Sequence, residues 1–364
     1  MDLFNDFSGT GCENGFSKTD ALNAAKAAGR KIVAIGGGTG LSALLLGLKE
    51  YTDNITAVVT VTDDGGGSGK IRQEFGTLPP GDVRNCLLAL ANTSSMMNEV
   101  LNYRFTEGSL KGQSFGNLFL LALNRICGSF DRAVAGMNEI LAVTGRVLPV
   151  TNTNINLRAW FEDGSVVDGE TAITSKKKLT HLSIGKIDII PETAVALDSV
   201  IQAIEEADLI ILGPGSLYTS VIPNLLVGNV SNAVKKSEAC KVYIQNIMTQ
   251  DGETEGFTAS QHIKEINRYG KGRLIDVCLY NTSPVTRHLA GKYIKENSAP
   301  VVIDKDKIEE MGIKLFGAEI MARDSMLVRH DPLRLAYNIM LMASIMMPRR
   351  GFLGRYDRLL LEQE

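Results

Sequence analysis

The feature that most constrains this chain is a recurring unit: an apolar, β-branched run, stopped by a cluster of glycines and followed by a helical pattern. Residues 31–35 (K-I-V-A-I) end in Gly36-Gly37-Gly38-Thr39-Gly40 and give way to a helical stretch at 41–49. Residues 55–62 end in Asp63-Asp64-Gly65-Gly66-Gly67-Ser68-Gly69, and 209–212 close on Gly213-Pro214-Gly215-Ser216. Apolar runs without alternation are strands buried on both faces, and strands covered by helices on both faces form a parallel sheet. Residues 242–247 and 274–280 read as further strands running to Asn246 and Asn281, and 301–303 as a last one.

Between these units lies a helical region at about 83–145, including 83–92 and 118–126. The stretch 147–190 then changes period: 147–151, 156–161 and 179–190 are short and rich in turns, which predicts a small antiparallel β insertion. Helices are expected at 193–206 and 333–347. The expectation is an α/β chain with a Rossmann-like, doubly wound, mostly parallel sheet. It comprises an extension at 1–29 with a short helical pattern, a nucleotide-binding domain at 30–350 and a tail at 351–364.

Composition narrows the function classes. A net charge of −3 without a basic stripe argues against nucleic acid, and Lys176-Lys177-Lys178 reads as a solvated loop. Five scattered cysteines without C-x-x-C exclude a disulfide framework and a zinc ribbon, which suits a reducing compartment. The start is acidic rather than signal-like, and the apolar stretch 333–347 is too short to span a bilayer. A cytoplasmic protein without membrane insertion is expected.

The glycine loops carry the chemistry. Helix amino termini attract anions through unpaired N–H groups and the helix dipole, and side chains there would block approach. In 36–40 this nominates Gly37, Gly38, Thr39 and Gly40 as phosphate-binding residues. The loop is not the dinucleotide fingerprint, because Leu41 stands where G-x-G-x-x-G needs its third glycine, so no organic redox cofactor is expected. The second loop is not a Walker loop either, with Asp64 and Ile71 at key positions. Asp63 or Asp64 would instead accept from a ribose hydroxyl or hold Mg²⁺ with phosphate oxygens, with Asp64 and Gly65 in the nucleotide- and phosphate-binding set, or the pair would form an Asx-turn.

In 78–85 (L-P-P-G-D-V-R-N), Asp82 reads as a helix cap, while Arg84 and Asn85 suit a phosphate and a base or ribose. Asn117 caps a helix or meets a ligand. Gly213, Gly215 and Ser216 form the third strand-end loop, and Asn246 ends a neighbouring strand. The three loops should converge on one rim at the carboxyl edge of the sheet. Arg329 and His330 in R-H-D-P are placed to reach a diphosphate, with Asp331 as a helix cap. Tyr293 reads as core packing rather than a stacking group. No catalytic triad or metal cluster can be assembled from spacing.

At these positions the sequence resembles the gluconeogenesis-factor family, relatives of 2-phospho-L-lactate transferase. The matching stretches are I-G-G-G-T-G-L-S at 35–42, T-D-D-G-G at 62–66, L-P-P-G-D at 78–82 with R-N-C-L at 84–87, and S-F-G-N-L at 114–118. V-L-P-V-T at 147–151, L-G-P-G-S-L-Y-T-S at 212–220, M-T-Q at 248–250 with G-E-T at 252–254, and R-H-D-P at 329–332 complete them. Gln113 stands where His commonly precedes the serine and Asp251 where Pro is common, which weakens a transferase reading.

The resemblance implies a nucleotide-sugar-binding regulator, specifically of UDP-sugars, that supports cell shape and wall synthesis during gluconeogenic growth. Its partners would be the nucleotide ligand, cell-wall synthesis proteins and further copies of the chain in a homo-oligomer. The alternative it implies is a Mg²⁺-dependent phosphotransferase with a nucleoside-diphosphate-activated donor. The residues leave open whether any reaction is catalysed.

Overall fold

The computed structural model describes residues 18–323 and 326–362, so the expectations for residues 1–17 lie outside the described residues. Seven strands form one sheet: β1 (Ile32–Gly36), β2 (Ile55–Val59), β3 (Arg146–Pro149), β7 (Leu209–Leu212), β8 (Cys240–Ile244), β9 (Val277–Asn281) and β10 (Lys314–Ala318). Three more, β4 (Asn156–Phe161), β5 (Val166–Asp168) and β6 (Ile184–Ile190), form a separate antiparallel sheet in the order β5-β4-β6. The large sheet runs β10-β9-β8-β7-β1-β2-β3 with every pairing parallel. This is the doubly wound, Rossmann-like architecture with a small antiparallel insertion.

Burial explains the central strands. Every residue of β1, β2 and β7 is buried, as strands sandwiched between helical layers must be. Each large side chain withdrawn from water there contributes about 1.5–3 kcal/mol. Helices Gly38–Leu48, Gly81–Leu90 and Pro332–Met346 pack together beside the sheet, driven by leucines such as Leu41, Leu44, Leu87 and Leu335. Asp331 caps the last of these, accepting from the Arg334 N–H at 3.0 Å, as the R-H-D-P pattern implied. The amphipathic insertion alternates instead: in β4, Leu157, Ala159 and Phe161 are buried, with half-buried residues between them.

Four expectations are corrected. Residues 147–151 do not open the antiparallel insertion; β3 pairs in parallel with β2 at the edge of the main sheet, Ala57 opposite Val147. Residues 301–303 are not a strand, and the last strand is β10, whose exposed lysine and glycine disguised it as a loop. The three lysines lie on helix Glu170–Thr180, where buried Lys177 pairs with Glu255 at 2.9 Å. The tail is helix Gly351–Leu361, packed on helix Lys18–Ala27. There, Asp357 meets Arg30 at 2.9 Å, with side-chain exposures of 6% and 3%. Among the described residues no helix is long and apolar enough to cross a membrane.

Candidate functional site at the switch point of the sheet

β1 and β7 lie side by side, with Ile35 opposite Leu212. From β1 the chain winds outward through β2 and β3, and from β7 it winds the other way through β8, β9 and β10. The loops that leave these two strands therefore part, opening a crevice at the carboxyl edge. A cleft of about 390 Å³ sits there, walled by Gly37–Gly40, Pro214–Ser216, residues 246–250 and residues 328–330.

The first wall is the start of helix Gly38–Leu48. Its N-cap residue, Gly37, has no side chain to cap it and its own first turn holds no acidic residue, so apart from the Gly38 N–H, which the Asp82 carboxylate takes, the helix start is left to the cleft. Gly38 has φ +65°, a left-handed conformation that other residues enter at a cost. Gly40 is needed for closeness: a Cβ there would lie 2.5 Å from the Pro214 carbonyl oxygen.

The second wall is braced from β8. The Asn246 amide accepts from the Gly215 N–H at 3.2 Å and donates to the Gly215 carbonyl at 2.7 Å, holding the loop as a neighbouring strand would. Ser216 opens a single π-helical turn, Leu217–Val221, and its hydroxyl donates to Gln250 at 2.7 Å. Beneath them buried Glu253 accepts from Tyr218 N–H, the Thr219 hydroxyl and the Gln250 amide. Burial pushes its carboxyl up to about 7.

The third wall is the R-H-D-P segment. Arg329 is exposed at the cleft and makes no ion pair among the described residues. His330 is hydrogen-bonded to the backbone of Gln245, and burial lowers its pKa to about 4, so the ring is neutral. Its Nε2 is shut from solvent and has no partner. Tyr293 takes neither role exclusively: its hydroxyl accepts from Val328 N–H at 2.8 Å and so positions this wall.

The second glycine loop stands next to the cleft rather than in its wall. Asp63 accepts from Gly65 N–H at 2.9 Å, which is the Asx-turn. Asp64 accepts from the backbone and hydroxyl of Thr171, capping the insertion helix from outside. The cap expected of Asp82 is absent: Pro80 is the N-cap, and the Asp82 carboxylate reaches across to the Gly38 N–H. Burial and then repulsion from Asp63 push Asp82 up to about 6. Burial, followed by the charges of Glu253, Asp63, Asp82 and Asp64, holds Glu170 well above the usual range. Among the described residues no group of three or more ligands is placed to hold a metal. Asp63 and Asp82 are the carboxylates whose repulsion a cation bound with ligand phosphates would relieve.

Arg84, Asn85 and Asn117 gather one step further along. Arg84 donates to Ser114 Oγ at 2.7 Å and to Asn85 Oδ1 at 2.6 Å. Asn117 is not a cap, because Ser114 caps that helix by accepting from Asn117 N–H. Gly213 turns the chain out of β7 with φ +79°.

Residues 32–321 match the family described as 2-phospho-L-lactate transferase CofD. The chain belongs to this family. Within it, the chain is 52% identical over 303 residues to a putative gluconeogenesis factor of Clostridium acetobutylicum, covering 83% of this chain and 67% of that protein. It is 44% identical over 310 residues to the gluconeogenesis factor of Bacillus subtilis, covering 84% and 96%. A crystal structure of a Bacillus halodurans protein superimposes with TM-score 0.83 at 40% identity, covering 86% of this chain and 99% of that one.

In this CofD-family chain, the nominated residues Gly37–Gly40, Gly215, Ser216, Asn246, Arg329 and His330 line one cleft, whereas Asp64, Gly65, Arg84, Asn85, Asn117 and Gly213 are not among its lining residues. It missed Glu170 and Glu253 as site neighbours. G-E-T at 252–254 lies after a strand end and carried the signal for Glu253, but nothing in the sequence places Glu170 beside it.

Proposed function

We propose that this CofD-family chain binds a nucleoside-diphosphate sugar in the switch-point cleft and serves as a regulator of the gluconeogenesis-factor type. The ligand is a UDP-sugar, and the process it informs is wall synthesis and cell shape during growth on gluconeogenic carbon. One observation carries the binding: the start of helix Gly38–Leu48, with no acidic residue in its own first turn, and the exposed Arg329 guanidinium line a single cleft. A diphosphate supplies the negative charge and acceptor oxygens that the helix-start N–H groups and the guanidinium take. A cleft of about 390 Å³ falls within the range of small-ligand sites.

A second reading rests on Asp63 and Asp82, whose carboxyls are both raised by burial. With Mg²⁺ they would make the same cleft a phosphotransferase site, charge neutralisation being most of what such transfers need. Calorimetric titration with UDP-N-acetylglucosamine and with GDP, each with and without Mg²⁺, separates the two. Magnesium-indifferent binding of the intact UDP-sugar supports the regulator. Preference for GDP that requires Mg²⁺ supports the transferase, and failure of both ligands to bind overturns the cleft assignment.

A further inference from the structure

Arg84 is a buried cation without a counter-charge. It is 8% exposed, its two hydrogen-bond partners are the neutral Ser114 hydroxyl and Asn85 amide, and its Nε has no partner. Asp82 is the carboxylate that acts on it favourably, but that carboxylate is engaged with the Gly38 N–H. The side chain lies over Gly116 in the first turn of helix Phe115–Cys127, where a Cβ would sit 2.7 Å from Arg84 Cδ. A cation at the positive end of a helix is unfavourable, and that first turn holds no acidic residue to offset it.

A second helix start and a second guanidinium meet the first. Arg104 pairs by a backbone bridge with Ser114, the residue that accepts from Arg84, and its charge acts on Arg84 directly. Its Nη1 would lie 3.6 Å from a Cβ on Gly67, in the first turn of helix Gly66–Phe75. That turn has no side-chain cap and no acidic residue. Gln113 is 8% exposed, and its Oε1, aimed at the same glycine 3.0 Å from the Cβ position, has no hydrogen-bond partner. Asn117, 3% exposed, likewise ends in an unpartnered oxygen.

We propose that Arg84, Arg104 and these two helix starts form a second anion site, distinct from the nucleotide cleft, for a small hydroxylated phosphate ester. The phosphate supplies the missing negative charge: Arg84 Nε and the N–H groups of Arg104 other than the one that Nη1 gives to the Gly112 carbonyl donate to it, and N–H groups of the glycine-opened turn complete the shell. The hydroxyl follows from the orphaned amide oxygen of Gln113 beside Gly67, which accepts and therefore needs a donor from the ligand. Asp82 separates the two sites, with Gly38 on its cleft side and Arg84 two residues further along the helix. A phosphate ester in the second site would thus lie across a carboxylate from the diphosphate in the first.

The test is calorimetric titration of the full chain with glycerol 3-phosphate, inorganic phosphate and glycerol. Glycerol 3-phosphate is expected to bind, inorganic phosphate to bind more weakly, and glycerol to give no heat. Arg104→Ala, a change at an exposed position, is expected to weaken glycerol 3-phosphate at least tenfold while UDP-sugar affinity stays within twofold. Arg84→Lys should weaken it similarly. If that variant fails to fold, Arg104→Ala decides alone. Arg329→Ala, at the cleft, should leave glycerol 3-phosphate binding unchanged. The proposal is overturned if glycerol 3-phosphate gives no heat at millimolar concentration, if Arg104→Ala binds it as wild type does, or if Arg329→Ala abolishes its binding.

Discussion

Asp64 and Thr171 are joined across 107 residues: one carboxylate oxygen accepts from both the backbone N–H and the hydroxyl of Thr171, the former at 2.9 Å. The second glycine loop thereby caps helix Glu170–Thr180 of the insertion, whose own N-cap, Gly169, has no side chain to offer. Asp64→Ala is expected to cost about 1 kcal/mol, the usual worth of a cap. Amide hydrogen exchange should quicken in residues 170–176, with nucleotide affinity changed less than twofold. A tenfold loss of affinity without faster exchange would return Asp64 to the ligand.

Nucleotide affinity should depend on pH through Asp82. Its carboxyl is raised to about 6, so it is neutral below that value and charged above it, beside the first N–H of the cleft. A diphosphate sugar keeps its charge throughout, so affinity should weaken as pH rises from about 5 to 7.5. Asp82→Asn, which keeps an acceptor for Gly38, should shrink that dependence. An unaltered slope in the variant would show that another group titrates.

The same shift has a stability consequence with a definite sign. A carboxyl raised in the folded state binds more protons folded than unfolded, so stability falls as pH climbs from the unfolded value of 3.8 through about 6. Asp82→Asn should therefore stabilise the protein at pH 7.5 by about 1–3 kcal/mol, the gap closing in acid. Thermal denaturation across pH checks it, and a variant less stable at neutral pH contradicts the burial argument.

Arg329→Ala should weaken UDP-sugar binding about 10- to 100-fold, the worth of a charge-assisted hydrogen bond of about 1.5–3 kcal/mol. The residue is exposed, so thermal stability should hold within about 0.5 kcal/mol. Calorimetry and a melting curve on one preparation are enough. Undiminished affinity would move the diphosphate away from this wall.

The carboxyl-terminal helix is part of the core rather than an appendage. Asp357 binds both Arg30 and Arg349, and Arg30 Nη2 also donates to the Met347 carbonyl at 2.8 Å. Asp357→Ala strands buried Arg30 and is expected to cost about 3–5 kcal/mol. Urea denaturation measures this, and a loss under about 1 kcal/mol would show that the helix is dispensable.

Strand-end glycines make most of the cleft legible in the amino-acid sequence alone. The uninterrupted apolar runs at 31–35 and 209–212 could only be buried parallel strands, and their loops had to end on the same edge. Arg329 and His330 are legible because a compact charged and polar cluster just before a proline-started helix places a guanidinium where an anion can meet it. β10 is not legible, since its pattern K-L-F-G-A has an exposed lysine and a half-empty face. The neighbours of Glu170 and Glu253 are illegible for a different reason: carboxylates far apart in sequence meet only through packing, which no periodicity records.

What the sequence by itself determined is therefore local: that the uninterrupted apolar runs at 31–35, 55–62 and 209–212 are buried strands, that glycines stop them, and which of their loops open a helix. Tertiary structure decided which of those loops share a wall. It put the β7 loop against Gly40, turned Asp82 from a helix cap into the acceptor of Gly38, and drew Asp64 away to Thr171. The physical reason is that glycine and strand signals act over a few residues of backbone. A carboxylate's partner is whatever donor the packed chain brings within hydrogen-bonding distance, and that is set by the winding of the sheet.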